Sequence, residues 1–226
     1  MVQKFIHRGA VLLASVAVIG VAILPTAAYA DTTIDGPIGL GTAEPFAVLA
    51  GSTVTISPDG TPPESVINGD IGVSPGLAVT GYENVQLPRV GVVVPLSVAD
   101  QAQADLTIAY GVAASLTPAP QSAGDLTDLS LVPGVYRGFP LSLTGNLTLD
   151  GGGNVDSVWV FQSTSSLVIA GTAEVTLTGG ANACNVFWQV GSSATINGGA
   201  DFVGTVMAQE SISVGANATV AGRLLA

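Results

Sequence analysis

Two residue types all but vanish from this sequence. Its only histidine, His7, and its only lysine, Lys4, lie in the first eight of 226 residues. Lys4, His7 and Arg8 precede an apolar run from about Ala10 to Leu24 and then Ala28-Tyr29-Ala30, the pattern of a secretory signal peptide cut after Ala30. The run falls short of the ~20 apolar residues that a membrane-spanning helix needs. The expected organisation is therefore a leader at 1–30 and one secreted domain at 31–226, without a membrane partner. Past residue 30 the chain holds neither histidine nor lysine. A Ser-His-Asp or Cys-His catalytic arrangement, a lysine Schiff base, a P-loop and histidine-containing zinc sites are excluded from such a domain.

Cysteine and positive charge are almost as scarce. Cys184 is the only cysteine, so no internal disulfide can form, and its residue type is expected to act as a small buried hydrophobe. After Ala30 three arginines (Arg89, Arg137, Arg223) stand against 16 carboxylates, a balance of −13. Nucleic acid needs a basic footprint and is not an expected partner. The carboxylates are scattered singly. Asp150-Gly-Gly-Gly-Asn-Val-Asp156 resembles one calcium-binding nonapeptide turn, but as a single copy it reads as a glycine-rich loop. No cofactor or metal is expected, and the domain is expected to be monomeric.

What is present is short apolar alternation punctuated by glycine, as in Ser52-Thr-Val-Thr-Ile-Ser57 and Leu141-Ser-Leu-Thr144. One segment differs. Ala99, Ala102, Leu106, Ala109 and Ala113 recur at spacings of three and four, predicting a helix over about 97–114 with a small-residue face, Ser97 as its N-cap, and an end marked by Pro118 and Pro120.

The sequence also repeats itself. Thr195–Ala208 aligns with Ser213–Ala226 at an offset of 18, with Ala200, Gly204 and Ala208 identical to their partners. Gln162, Ser165, Ser166, Ile169, Gly171 and Ala173 recur 27 positions later. An 18-residue repeat with strand alternation fits one coil of a parallel β-solenoid, and the 27-residue step reads as a coil carrying an insertion. The fold class expected is all-β with one long helix: a parallel β-solenoid (β-helix) of about three short strands per coil.

The same offsets sort the outward residues into columns. Ser166, Ser193 and Ser211 form one, Val168, Thr195 and Ser213 the next, and Ala170, Asn197 and Gly215 a third. These residues are small and uncharged. The following strands stack Glu174, Asp201 and Thr219, then Thr176, Val203 and Ala221, then Thr178, Thr205 and Arg223, a charged and solvated face. The uncharged array is what a repetitive solid such as ice would require, because it can order a few waters without hydrating itself strongly.

Several stretches, in order along the chain, carry a family resemblance: Leu40–Thr55, Asn68–Gly76, Ala102–Thr107, Leu131–Tyr136, Leu143–Leu149 and Ala183–Thr195. Through them the chain resembles the microbial ice-binding (antifreeze) proteins with a discontinuous β-solenoid domain. The resemblance implies a right-handed parallel β-solenoid of roughly triangular section, with the α-helix packed along one side, that adsorbs to ice through one flat face, without catalysis. It assigns no contact residues, so the candidate site comes from stacking: Ser166, Ser193, Thr195, Asn197, Ser211 and Ser213, extended to Thr53, Thr55, Thr80, Thr144 and Thr148. Two rival readings are a polysaccharide-cleaving enzyme, which would need paired carboxylates, and a surface adhesin or glycan-binding module using the same flat face.

Overall fold

The structure, a computed structural model, describes residues 37–56, 65–81, 85–86, 94–118 and 124–226. The expected leader and Pro120 lie outside these residues. The described strands pair in parallel, and stacked coils build a β-solenoid with one long helix alongside.

The helix-side face holds β1 (Phe46–Ala50), β4 (Asp70–Val73), β8 (Gly134–Gly138), β11 (Trp159–Ser163) and β14 (Val186–Val190). It also takes the second halves of β16 (Asp201–Ala208) and β18 (Thr219–Leu225). Of these, β11 and β14 are buried along their whole length and β4 and β8 at all but one residue, since both of their sides are covered. In β14, Val186, Trp188 and Val190 point into the solenoid core while Phe187 joins the core beneath the helix. Inside the solenoid Tyr136, Phe161, Trp188 and Phe202 form an aromatic ladder, with successive ring centroids 5.6, 4.1 and 5.1 Å apart. Offset rings at such distances add to the area they bury.

The helix, α1 (Leu96–Ser115), buries Ala99, Ala102, Leu106, Ala109 and Ala113 against this face, and alanine lets it approach closely. Its N-cap is Pro95 rather than Ser97, which lies inside the first turn, and no side chain caps it. At the other end Gln162 Nε2 donates to the carbonyls of Ala113 (2.7 Å) and Leu116 (2.8 Å), and Arg137 Nε holds Gln162 Oε1 at 2.9 Å. Carbonyls that a helix C-terminus leaves open are thereby satisfied from the sheet.

The two other faces follow in turn. The smooth face contains β9 (Leu141–Leu143), β12 (Leu167–Ile169), β15 (Ala194–Ile196) and β17 (Ile212–Val214), plus a separate pair, β2 (Thr53–Thr55) and β5 (Ala78–Thr80). The acidic face contains β7 (Leu129–Leu131), β10 (Asn146–Asp150), β13 (Glu174–Thr178) and the first halves of β16 and β18.

Register accounts for both repeat lengths. Thr195 pairs with Ser213 at the 18-residue offset, and Val168 with Thr195 at 27. In the 18-residue coil β16 runs straight from the acidic face onto the helix-side face. In the 27-residue coil the corresponding corner is expanded between β13 and β14, where Ala183–Asn185 forms a 3-10 turn. Cys184 sits on this turn and is exposed, not buried, because the insertion lies outside the coil. Thr205 departs from expectation for the same reason. It pairs with Phe187 on the helix-side face and is buried, so it does not stack under Thr178.

Candidate functional site

Strand alternation and coil register together generate the smooth face. In β12, β15 and β17 the inward residues are Leu167 and Ile169, Ala194 and Ile196, and Ile212 and Val214, leaving Val168, Thr195 and Ser213 outward in one column. Ser142 of β9 completes that column, paired with Val168. Sequence offsets missed Ser142 because this step is 26 residues, one short of the repeat. The recurrence of Leu-Ser-Leu as Leu-Val-Ile, Ala-Thr-Ile and Ile-Ser-Val is the signal that finds it.

The flanking columns are Pro140, Ser166, Ser193 and Ser211 on one side and Thr144, Ala170, Asn197 and Gly215 on the other, by continuation of the same register. Neighbouring rungs of such a ladder are about 4.8 Å apart, and outward residues along one strand about 6.6 Å. The result is a three-column grid of small side chains.

The hydroxyls of the grid fall into two classes. At one margin Ser211 Oγ donates to Ser193 Oγ (3.0 Å) and Ser193 Oγ to Glu210 Oε2 (3.2 Å). At the lower corner Thr144 Oγ1 lies 2.9 Å from Thr127 Oγ1, which donates to Asp125 Oδ1 at 2.6 Å. Asp125 also accepts the Thr127 backbone N–H, and these two bonds hold its carboxyl below the usual carboxylate range. Asn197 turns its Nδ2 to the Ile169 carbonyl (2.8 Å), so its amide nitrogen is engaged in the coil. Thr195 and Ser213, in the central column, and Ser166 at the margin are left to meet whatever lies against the face.

The second piece of the face extends the grid. Ile212 follows Ala208 by four residues and Val54 follows Ala50 by four, and both point inward. Thr53 therefore continues the Ser166–Ser193–Ser211 column and Thr55 the Val168–Thr195–Ser213 column. Thr80 pairs with Thr55, with Thr80 Oγ1 donating to Thr55 Oγ1 at 3.4 Å.

Thr148 is not on this face. It lies on β10 of the acidic face, between Ser130 and Thr176 in register. Its Thr-Gly-Asn-Leu-Thr context looks like continued alternation, but the chain turns a corner between Thr144 and Asn146. The acidic face carries Asp150, Glu174 and Asp201, with the Thr219 hydroxyl donating to Asp201 Oδ1, whereas Arg223 pairs with Thr205 past the corner, on the helix-side half of β18, and so leaves the column expected for it. Charge thus separates the two faces.

Against this geometry, the profile of the Ice-binding-like family matches residues 48–226. An ice-binding protein of Nostoc sp. (strain HG1) is 42% identical over 190 residues, covering 83% of this chain and 68% of the relative. One from Leucosporidium sp. (strain AY30) is 34% identical over 213 residues, 84% of this chain and 79% of its own length. The crystal structure of an ice-binding protein from the Antarctic ascomycete Antarctomyces psychrotrophicus superposes with a TM-score of 0.76 at 34% identity, over 84% of this chain and 91% of that one. The grid, the solenoid and the helix along its side are thus found in a chain that belongs to the ice-binding-like family.

Proposed function

We propose that the protein binds ice through the smooth face, and that Thr195 and Ser213 at the centre of the grid, with Ser166, Ser193, Ser211, Asn197 and Thr144 around them and Thr53, Thr55 and Thr80 beyond, make the contact. The observation that carries this reading is the separation of charge: one face is a regular array of small hydroxyl and methyl groups, while its neighbour holds the carboxylates. A carboxylate keeps its own hydration shell in liquid-like disorder, whereas spaced hydroxyls and methyls can share waters with a lattice.

Adsorption needs no chemistry at the surface. Bound molecules pin the growing crystal front, ice bulges between them, and the curvature lowers the local freezing point. We infer that the protein acts without catalysis, as a monomer. We infer from the sequence pattern that residues 1–30 are a leader and 31–226 the secreted domain; among the described residues no helix is long and apolar enough to cross a membrane.

Partition into slowly grown ice tests the assignment of the face. The unaltered protein should be taken up, Thr195→Tyr should be largely excluded, and Thr219→Tyr on the acidic face should be taken up as before. Loss confined to Thr219→Tyr would move the site to the acidic face, and uptake of neither folded variant nor parent would refute ice binding.

A further inference from the structure

The smooth face ends on a carboxylate. Residues 124–127 run beneath β9, where Ser142 N donates to the Gly124 carbonyl and Leu126 N to that of Ser142. Asp125 pairs with Ser142, and Leu126 is buried in the solenoid core. Alternation therefore continues the grid by one rung. Asp125 stands at the foot of the Ser142–Val168–Thr195–Ser213 column, and Thr127 at the foot of the column that begins with Thr144.

The hydrogen bonds of this rung fix where each hydroxyl proton lies. A hydroxyl has one proton to donate and two lone pairs that accept, whereas an ionised carboxylate only accepts. The Asp125 carboxyl, held below the usual range by Thr127, is ionised near neutrality. Its Oδ1 takes the Thr127 hydroxyl at 2.6 Å and the Thr127 N–H at 3.0 Å, so the Thr127 proton is committed to the carboxylate. Thr127 Oγ1 then has only lone pairs left, and one of them takes the Thr144 N–H at 3.0 Å. Thr144 Oγ1, 2.9 Å away, is therefore the donor of the remaining bond. Its proton points back along the relay, and its own lone pairs are left for the outside. The opposite margin repeats the pattern. Ser211 Oγ donates to Ser193 Oγ and Ser193 Oγ to Glu210 Oε2, so Ser211 also keeps only lone pairs for the outside. Thr195 and Ser213, in the centre, are held by no such chain among the described residues.

We propose that Asp125 and Glu210 are positioning residues for ice binding: through Thr127 and Ser193 they lock Thr144 and Ser211 as acceptors at the two margins of the face. The assignment rests on the ice-binding reading of that face. A hydroxyl locked before contact loses no rotational freedom on the crystal, so the margins meet lattice waters at a lower entropic cost than the freely turning centre. Because they only accept, each lattice water at the margins turns an O–H toward the protein.

Proton NMR of the hydroxyls just above freezing, paired with the freezing gap, tests this on the whole chain. In the parent, the Thr144 and Ser211 hydroxyl protons should exchange with water several-fold more slowly than those of Thr195 and Ser213. Asp125→Ala and Thr127→Val should each lose the slow Thr144 signal and part of the freezing gap. Thr127→Ser, which keeps the relay, should recover both. Were Asp125 only a hydrated charge at the end of the face, Asp125→Ala would enlarge the gap. That result, or an undiminished gap in both folded variants, would overturn the proposal. Fast exchange at Thr144 in the parent would overturn it as well, even beside an intact gap. Slow exchange at Thr144 in a parent without any gap would instead overturn the ice-binding reading on which it rests.

Discussion

Thr205 is fully buried and its hydroxyl has no hydrogen-bond partner among the described residues. A buried hydroxyl without a partner carries its desolvation cost uncompensated. Thr205→Val removes the hydroxyl at nearly constant shape and should raise stability by about 1 kcal/mol in urea unfolding. A loss of stability would mean that the hydroxyl is satisfied in solution. At the neighbouring position the constraint is steric. Gly204 and Gly222 are stacked in register where β16 and β18 pass from the acidic face to the helix-side face. A Cβ on Gly222 would sit 1.9 Å from the Gly204 carbonyl oxygen. Backbone cannot yield as a flexible side chain can, so Gly222→Ala should cost roughly 1–3 kcal/mol, read from the same unfolding curves. An unchanged midpoint would show that the two strands can part at the corner. Their identity in the 18-residue repeat is legible in sequence, but its cause, a corner turned without an insertion, is visible only in the fold.

The helix is the element most firmly written in the chain and most dependent on polar contacts for its placement. Its buried positions are all alanine but for Leu106, and packing alone against a flat sheet fixes its axial position poorly. Polar pins supply what alanine lacks. Gln189 Nε2 donates to the Tyr110 hydroxyl, Gln103 Nε2 to the Ala226 carbonyl at 3.0 Å, and Ser74 Oγ to Asp100. Asp105 Oδ2 accepts the backbone N–H and the hydroxyl of Thr42, each at 2.7 Å. These bonds, with one from Gln101, hold the Asp105 carboxyl below its ordinary pKa. A carboxyl with a lowered folded-state pKa stabilises the fold above its unfolded pKa, near 3.9, and the contribution disappears as pH falls through the lower folded value. Asp105→Asn should therefore be less stable than the parent near neutrality, and the gap should close toward pH 2 in unfolding curves taken across that range. A gap that widens in acid would reverse the assigned direction. Periodicity revealed this helix and its buried face, but not its cap. Pro95, at φ −58° and ψ 149°, opens it, and Ser97 lies two residues on, inside the first turn.

At the scale of the molecule, repeats gave access to the fold and insertions hid the details. Offsets of 18 and 27 are preserved in the register, so the stacking of Ser193, Thr195, Ser211 and Ser213 is legible in the sequence. Steps of 26 and 28 residues, between Ser142 and Val168 and between Leu147 and Val175, break the count. Those steps take Ser142 out of the linear count and carry Thr148 onto the acidic face. Thr53 and Thr55 join the grid from a separate pair of strands, a relation no linear offset expresses, because the first coils of the chain stack upon its last. The central claim, that this grid and not its acidic neighbour meets ice, is tested most directly by thermal hysteresis in a nanolitre osmometer. The parent, Thr195→Tyr and Thr219→Tyr would be compared after circular dichroism shows equal folding. Faceted crystals and a freezing gap for the parent and for Thr219→Tyr, with the gap largely abolished in Thr195→Tyr, are the predicted result. An undiminished gap in folded Thr195→Tyr would contradict the account.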